Sequence, residues 1–489
     1  MAIVPVGEWV PDAAPLGNPG ASRIINALPG ATSYEPFPQF AVVTNAVDDY
    51  PRGAATEQAN DLNIYSYAGD EAKLYRLVTA TWTDSSKAGG YSTGTEERWE
   101  FARWKNKVLA TNFSDDPQQI TMGGTAFSDL TTAFKARHIA VVRDFVVFGN
   151  TTDTTDGARI DRVRWSAQGD ETDYTVSATT GADFRDLAAG GQVQAIVGGE
   201  FGVIVSERST WRMSFTGAPT WFQIDEVLPG VGTFAPGSVV RLGDSVYFMS
   251  ESGFVKLQAG TQATFIGAGR VDKFFRDDID DNFLHRVSGV ADPEGGRIAW
   301  AYPGAGNLDG RPNRIIIYDV KLNKWSLVER EVNLLWRGSA AGTTLEGLDS
   351  VSSSIDDLGI GLDSSQWKGG APEFAAFDED FKSGFFTGLP MTAVIETREN
   401  EIHAGHSTML NGFRPLVDGG TVTARVFYRA KLTDTPSVTA SLSQRDTGRI
   451  TSRVRARYHR VEMTLSGQWE HALGVEIDPA DARKAGRRG

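Results

Sequence analysis

The residues able to do chemistry in this chain are mostly isolated from one another. Of six histidines only His403 and His406 are neighbours, and Glu401 is the sole carboxylate beside them. A metal centre needs three or four donors converging, so the pair reads as part of a polar loop. Asp277, Asp278, Asp280 and Asp281 form an acidic run in VDKFFRDDIDDNF. Because the glycine and closing glutamate of a calcium loop are absent, the run reads as the solvated face of a short helix with Phe274, Phe275 and Ile279 opposite. Carboxylate pairs for glycoside hydrolysis would have to come from loops, such as Asp153 with Asp156, Asp170 with Asp173, or Glu294. With 62 acids such pairs are abundant and carry little weight. HExxH, P-loop and nucleophile-elbow patterns are missing, as is a GxGxxG after a strand. Cysteine is absent, which excludes disulfides, thiolate metal sites and cysteine nucleophiles. The expectation is a chain with no enzymatic activity, no cofactor and no metal.

One charged pattern stands out. In RITSRVRARYHR, Arg453, Arg455 and Arg457 alternate with Val454, Ala456 and Tyr458, and Arg449 and Arg460 flank them. Strand periodicity puts the three guanidiniums on one face and the apolar groups on the other. The run contains no acid, so this face is a candidate contact for phosphates or an acidic partner surface. The competing reading is a solvated face paired with acids of a neighbouring strand.

What positions such a strand is an all-β chain. Fifty-three glycines, twelve tryptophans and the absence of long helical periodicity describe a turn-rich β protein. From Gln192 to Gln258 a strand–turn–strand–turn–strand pattern occurs twice: QVQAIV, FGVIVS, TWRMSF, then SVVRL, SVYFMS, FVKLQ. Runs of this kind between turn residues are hairpin-linked antiparallel strands. The same pattern begins at Trp99, Ala136 and Ser288, and its central turns fall at Asn106, Asp144, Gly199, Asp244 and Gly296, successively 38, 55, 45 and 52 residues apart. Repeats of roughly 40–50 residues, each a small sheet, predict a β-propeller of irregular blades rather than another array of hairpins.

Three regions follow. Residues 1–50 carry seven prolines and form an extended arm, although Trp9, Ile24, Ile25, Leu28 and Tyr34 are too apolar for a free tail. This arm is expected to drape over other surface and is suspected of crossing to a neighbouring subunit. Residues 51–388 form the propeller, with a Ser/Gly/Asp-rich insertion at about 338–370 and a further blade piece in EFAAFDEDFKSGFFTG. Residues 389–489 have longer alternating strands and form an additional C-terminal antiparallel module, sandwich-like, ending in a basic tail. No apolar run approaches the ~18 residues of a membrane span, and no signal sequence opens the chain, which reads as soluble and made in the cytoplasm. A net charge of −14 argues against coating nucleic acid but suits a surface along which it slides.

Four segments then resemble the tail nozzle, or tail hub, proteins of short-tailed phages, the packaged-DNA stabilisation family. They are WVPD…NALPG…YEPFPQF, RVRWSAQGDETDYTV through GEFGVIVSERSTWRM, AAFDEDFKSGFFTG, and TGRITSRVRARYHRVEMTLSGQWEHALGVEI…GRR. The resemblance implies a structural virion protein in a six-subunit ring below the portal-adaptor, retaining packaged DNA and providing the channel for its ejection. Its implied partners are head-to-tail connector proteins, a tail needle or plug, a tailspike or fibre, and genomic double-stranded DNA in the channel. The insertion at 338–370 matches nothing in the family. The alternatives are a propeller-type carbohydrate-active enzyme, a receptor-binding tail protein and a stand-alone interaction propeller.

Overall fold

A computed structural model describes residues 2–14, 20–339 and 372–483. The insertion from residue 340 onward and the last six residues of the basic tail lie outside the described residues.

The chain is a β-propeller with an extra curled C-terminal sheet. Six four-stranded antiparallel sheets stand by themselves among the described residues, and a seventh four-strand set, Ser288–Asp292 to Lys324–Glu329, begins a 14-stranded sheet. Burial shows how these sets close a ring. Seven hydrophobic clusters occur, and each joins two successive sets. Val203 and Val205 meet Val246 and Phe248 at one interface, for example, and Tyr75 and Trp82 meet Trp336 and Phe377 where last meets first. Each blade therefore buries its faces against its neighbours, as the repeat spacing requires, and the fifth, sixth and seventh blades also pack against the N-terminal segment.

The turns expected at Asn106, Asp144, Gly199, Asp244 and Gly296 all join the first and second strands of their blades. The short helix is present as Asp272–Asp278, with Phe275 buried.

The proline-rich opening folds onto its own chain. Pro38–Ala46 is the fourth, outermost strand of the blade made by Leu334–Ser339, Pro372–Phe377 and Lys382–Pro390, so the N-terminal segment closes the ring. Proline at the start of this strand suits an outer edge, where a missing N–H costs little. Farther upstream, Trp9 packs edge-on against Phe274, and the Asp12 carboxylate accepts the Lys273 and Phe274 N–H groups at 2.9 and 2.8 Å, capping the short helix. Arg23–Ile25 is wedged between Lys324–Glu329 and Ala393–Glu396, which carries the sixth blade into the C-terminal sheet.

Where alternation suggested a sandwich-like module, the C-terminal strands form one curled sheet. The 23-residue strand Ser407–Arg429 pairs along its length with Tyr458–Arg483. Ala456 pairs with Thr408 and Tyr458 with Arg429, at opposite ends of that strand, so the strand bends round on itself. Leu410, Phe413, Val426, Ile450, Met463 and Trp469 fill the inside and are continuous with the core of the fifth and sixth blades.

Candidate functional site

The curled sheet presents the arginine strand as alternation predicts. In Ile450–Ala456, Ser452, Val454 and Ala456 are buried while Arg453 and Arg455, with Arg457 just past the strand's end, are exposed on the convex face. Arg457 Nε donates to Glu401 Oε1, and this bond holds the Glu401 carboxyl below its usual range. Arg453 and Arg455 make no ion pair with a described residue. The flanking arginines have other work. Arg460 is half-buried, with Nε 2.5 Å from Glu396 Oε1 and its guanidinium 4.9 Å from the Phe427 ring centroid. Arg449 lies half-buried at a turn where its carbonyl accepts the Arg445 N–H at 3.0 Å. The exposed cationic stripe is thus Arg453 and Arg455, with Arg457 shared with one acid.

The second concentration of polar groups lies at one mouth of the propeller. The inner strands Glu100–Trp104, Lys135–Val142 and Val193–Val197 begin there, and the single-turn segments Pro236–Ser238 and Asp281–Arg286 close over them. They enclose a cavity of about 290 Å³. His138 in its wall is only 1% exposed, with Nδ1 2.8 Å from Glu100 Oε1. Glu100 Oε2 also accepts the Ile139 N–H at 3.2 Å. His138 Nε2 and Arg137 Nε are buried without a hydrogen-bond partner among the described residues. Arg98 reaches across the mouth to the His285 and Val287 carbonyls, and burial holds its guanidinium below the ordinary range. Burial first, and then Arg286, likewise lower the His285 imidazole.

At the far ends of the inner strands Glu57, Arg103 and Arg337 line a second cavity of about 320 Å³. Burial raises the Glu57 carboxyl there, against the pull of the two arginines.

The remaining candidates are spent on local structure. Asp156 and Asp186 pair with Arg162 at 2.6 and 2.7 Å, and Asp153 lies 3.5 Å from Arg164. Asp170 and Asp173 each accept the N–H two residues on, at 2.9 Å, in turn geometry. Glu294 is exposed in a hairpin turn held by Asp292. His406 N–H donates to the His403 carbonyl at 3.0 Å, a turn rather than a ligand pair. Asp278 accepts the Tyr302 hydroxyl at 2.9 Å, and Asp280 caps Asn282. Among the described residues no group of three His, Asp or Glu side chains could hold a metal, and no helix is long and apolar enough to cross a membrane.

Sequence reasoning passed over Glu100 and His138. The available signal was a histidine beside the apolar run IAVV of an inner strand, where a buried polar group must find a partner.

No family model and no curated protein matches the chain. Solved structures with fold-level likeness include the Pan2 WD40 domain of Neurospora crassa, at 6% identity and TM-score 0.39 over 74% of this chain and 98% of that one. BamB from Moraxella catarrhalis gives 11% identity and TM-score 0.35 over 64% and 87%. YCF48 bound to D1 peptide gives 10% identity and TM-score 0.37 over 62% and 86%.

Proposed function

We propose that this chain is a structural protein of a short phage tail. Copies of it form a six-membered ring below the portal-adaptor that retains packaged DNA and serves as the channel for its ejection. The observation that carries the reading is the exposed stripe of Arg453, Arg455 and Arg457 on a curled sheet of an otherwise acidic chain. Two of its cations lack an acidic partner among the described residues, so their counter-charge is free to come from a neighbouring subunit, a connector protein or DNA phosphates. The resemblance of the N-terminal, central and closing segments to tail nozzle proteins supports the same role. A ring of blades packed on seven apolar interfaces suits a mechanical part, because such cores resist deformation.

In this reading the acidic surface faces the channel and repels phosphate, letting DNA pass without sticking. The needle or plug, the tailspike or fibre, and the location in the virion tail belong to the same proposal. The test is the variant with Arg453, Arg455 and Arg457 all changed to alanine. Loss of tail assembly or of DNA retention is expected, and particles that assemble and hold their genome as before would refute the role given to the stripe.

A further inference from the structure

The cavity at the far ends of the inner strands brings together three charged side chains that do not satisfy one another. Glu57, on the inner strand Gly53–Gln58, shares about 320 Å³ of space with Arg103 of Glu100–Trp104 and Arg337 of Leu334–Ser339. Both guanidiniums pull on the carboxyl, yet neither closes to ion-pairing distance. Glu57 is half-buried and makes no side-chain hydrogen bond to a described residue, and its carboxylate oxygens stay open to the cavity. A partly buried carboxylate without a donor is costly unless something in the space before it supplies one.

The two arginines carry the opposite deficit. Arg337 is exposed and makes no side-chain hydrogen bond or ion pair with a described residue. Arg103, also exposed, donates Nε to the Lys105 carbonyl at 3.2 Å and one Nη to Asn60 Oδ1 at 3.3 Å, which leaves its other Nη uncommitted. Arg241, second to last on its inner strand as Arg103 is, differs in being spent on the Gly198 and Gly243 carbonyls. Guanidinium forks match carboxylates in shape and charge. Two cations against one anion leave a single positive charge, which one carboxylate balances and a phosphate dianion exceeds. The volume stands at the small end of the range for ligand sites, roughly 300–1,000 Å³, and Ile64 supplies an apolar wall.

We propose that this cavity binds a small hydroxycarboxylate, its carboxylate held between Arg103 and Arg337 and its hydroxyl donating to Glu57. The inference is independent of the tail assignment, since it uses only groups inside one chain.

The experiment is saturation-transfer NMR, titrated on the full chain with lactate, glycerate and glucuronate, with acetate as the acid that lacks a hydroxyl and inorganic phosphate as competitor. The variants are Arg337→Gln, at an exposed position without an ion pair where folding is not at stake, and Glu57→Ala. Binding of at least one hydroxycarboxylate, tighter than acetate, is expected. Its affinity should fall at least about tenfold in Arg337→Gln, as loss of a charged hydrogen bond dictates. In Glu57→Ala the preference over acetate should collapse, because the acceptor for the hydroxyl is gone. If Glu57→Ala does not fold, the wild-type preference and Arg337→Gln decide. Absence of transfer to every hydroxycarboxylate, affinity unchanged in Arg337→Gln, acetate bound as tightly, or displacement by an equal concentration of phosphate would each overturn the proposal.

Discussion

Glu396 and Glu462 face each other directly across the ladder between Ala393–Glu396 and Tyr458–Arg483, and both are almost fully buried. Like charges opposite one another in a sheet are destabilising, and here three arginines offset them. Arg460 reaches Glu396 at 2.5 Å, Arg425 Nε bonds Glu462 at 2.8 Å, and Arg23 stands 3.6 Å from Glu462. Burial still dominates at Glu396, pushing its carboxyl up to about 7 against the pull of Arg460, with Glu462 adding to the rise.

This pair predicts a pH effect. Because the folded value lies above the ordinary carboxylate value, the folded chain binds a proton more tightly than the unfolded chain does. The stability so gained is complete below about pH 4.5 and lost as pH rises through about 7, and is on the order of 1–3 kcal/mol. Glu396→Gln, scanned for its thermal midpoint at several values across that window, should lose this part of the decline. A variant whose midpoint tracks wild type at every pH would count against the assignment.

A second prediction concerns ring closure. Thr44, on the N-terminal strand of the last blade, accepts the Ser383 N–H at 2.9 Å and the Trp82 Nε1–H at 3.1 Å. Thr44→Val leaves two buried donors without an acceptor, a cost of about 1–3 kcal/mol. Hydrogen exchange should accelerate first in Pro38–Ala46 and its partner Lys382–Pro390. Uniform exchange across all blades would mean the strand is not the closing element.

Trp300 and Trp325 stack at 6.1 Å between ring centroids with both side chains buried, and Trp300 Nε1 donates to the Ser238 carbonyl at 2.8 Å. Trp300→Ala should cost about 3–5 kcal/mol. Trp300→Phe, which keeps most of the volume and loses the bond, should cost less. Equal thermal midpoints for the two variants would show that packing at this interface is not the stabilising term.

The arginine stripe predicts the reverse pattern. Arg453 and Arg455 have no ionic partner among the described residues and Arg457 has one exposed partner, so the triple alanine variant should fold with a midpoint close to wild type. A large loss of stability would mark these side chains as structural and remove the ground for a contact surface.

How much of this was legible depends on range. The five inner turns at Asn106, Asp144, Gly199, Asp244 and Gly296 follow local chemistry, and each falls between the first two strands of a blade. The inward and outward assignment of Arg453 to Arg457 rests on strand period two, which is equally local. Closure by Pro38–Ala46 was not legible, because its partner Lys382–Pro390 lies more than 300 residues away and nothing local names it. The curl of Ser407–Arg429 depends on Thr408 and Arg429 both lying near Arg457, another long-range coincidence. His138 escaped notice because the Glu100 that orients it belongs to the preceding blade.

The most direct test of the central claim is electron-microscopic imaging of particles that contain this chain, counting its copies and the symmetry of the density they fill. Six copies around the tail axis, enclosing an open channel, is the result the account predicts. Three copies at the periphery, or a chain that joins no particle and remains a monomer, would contradict it.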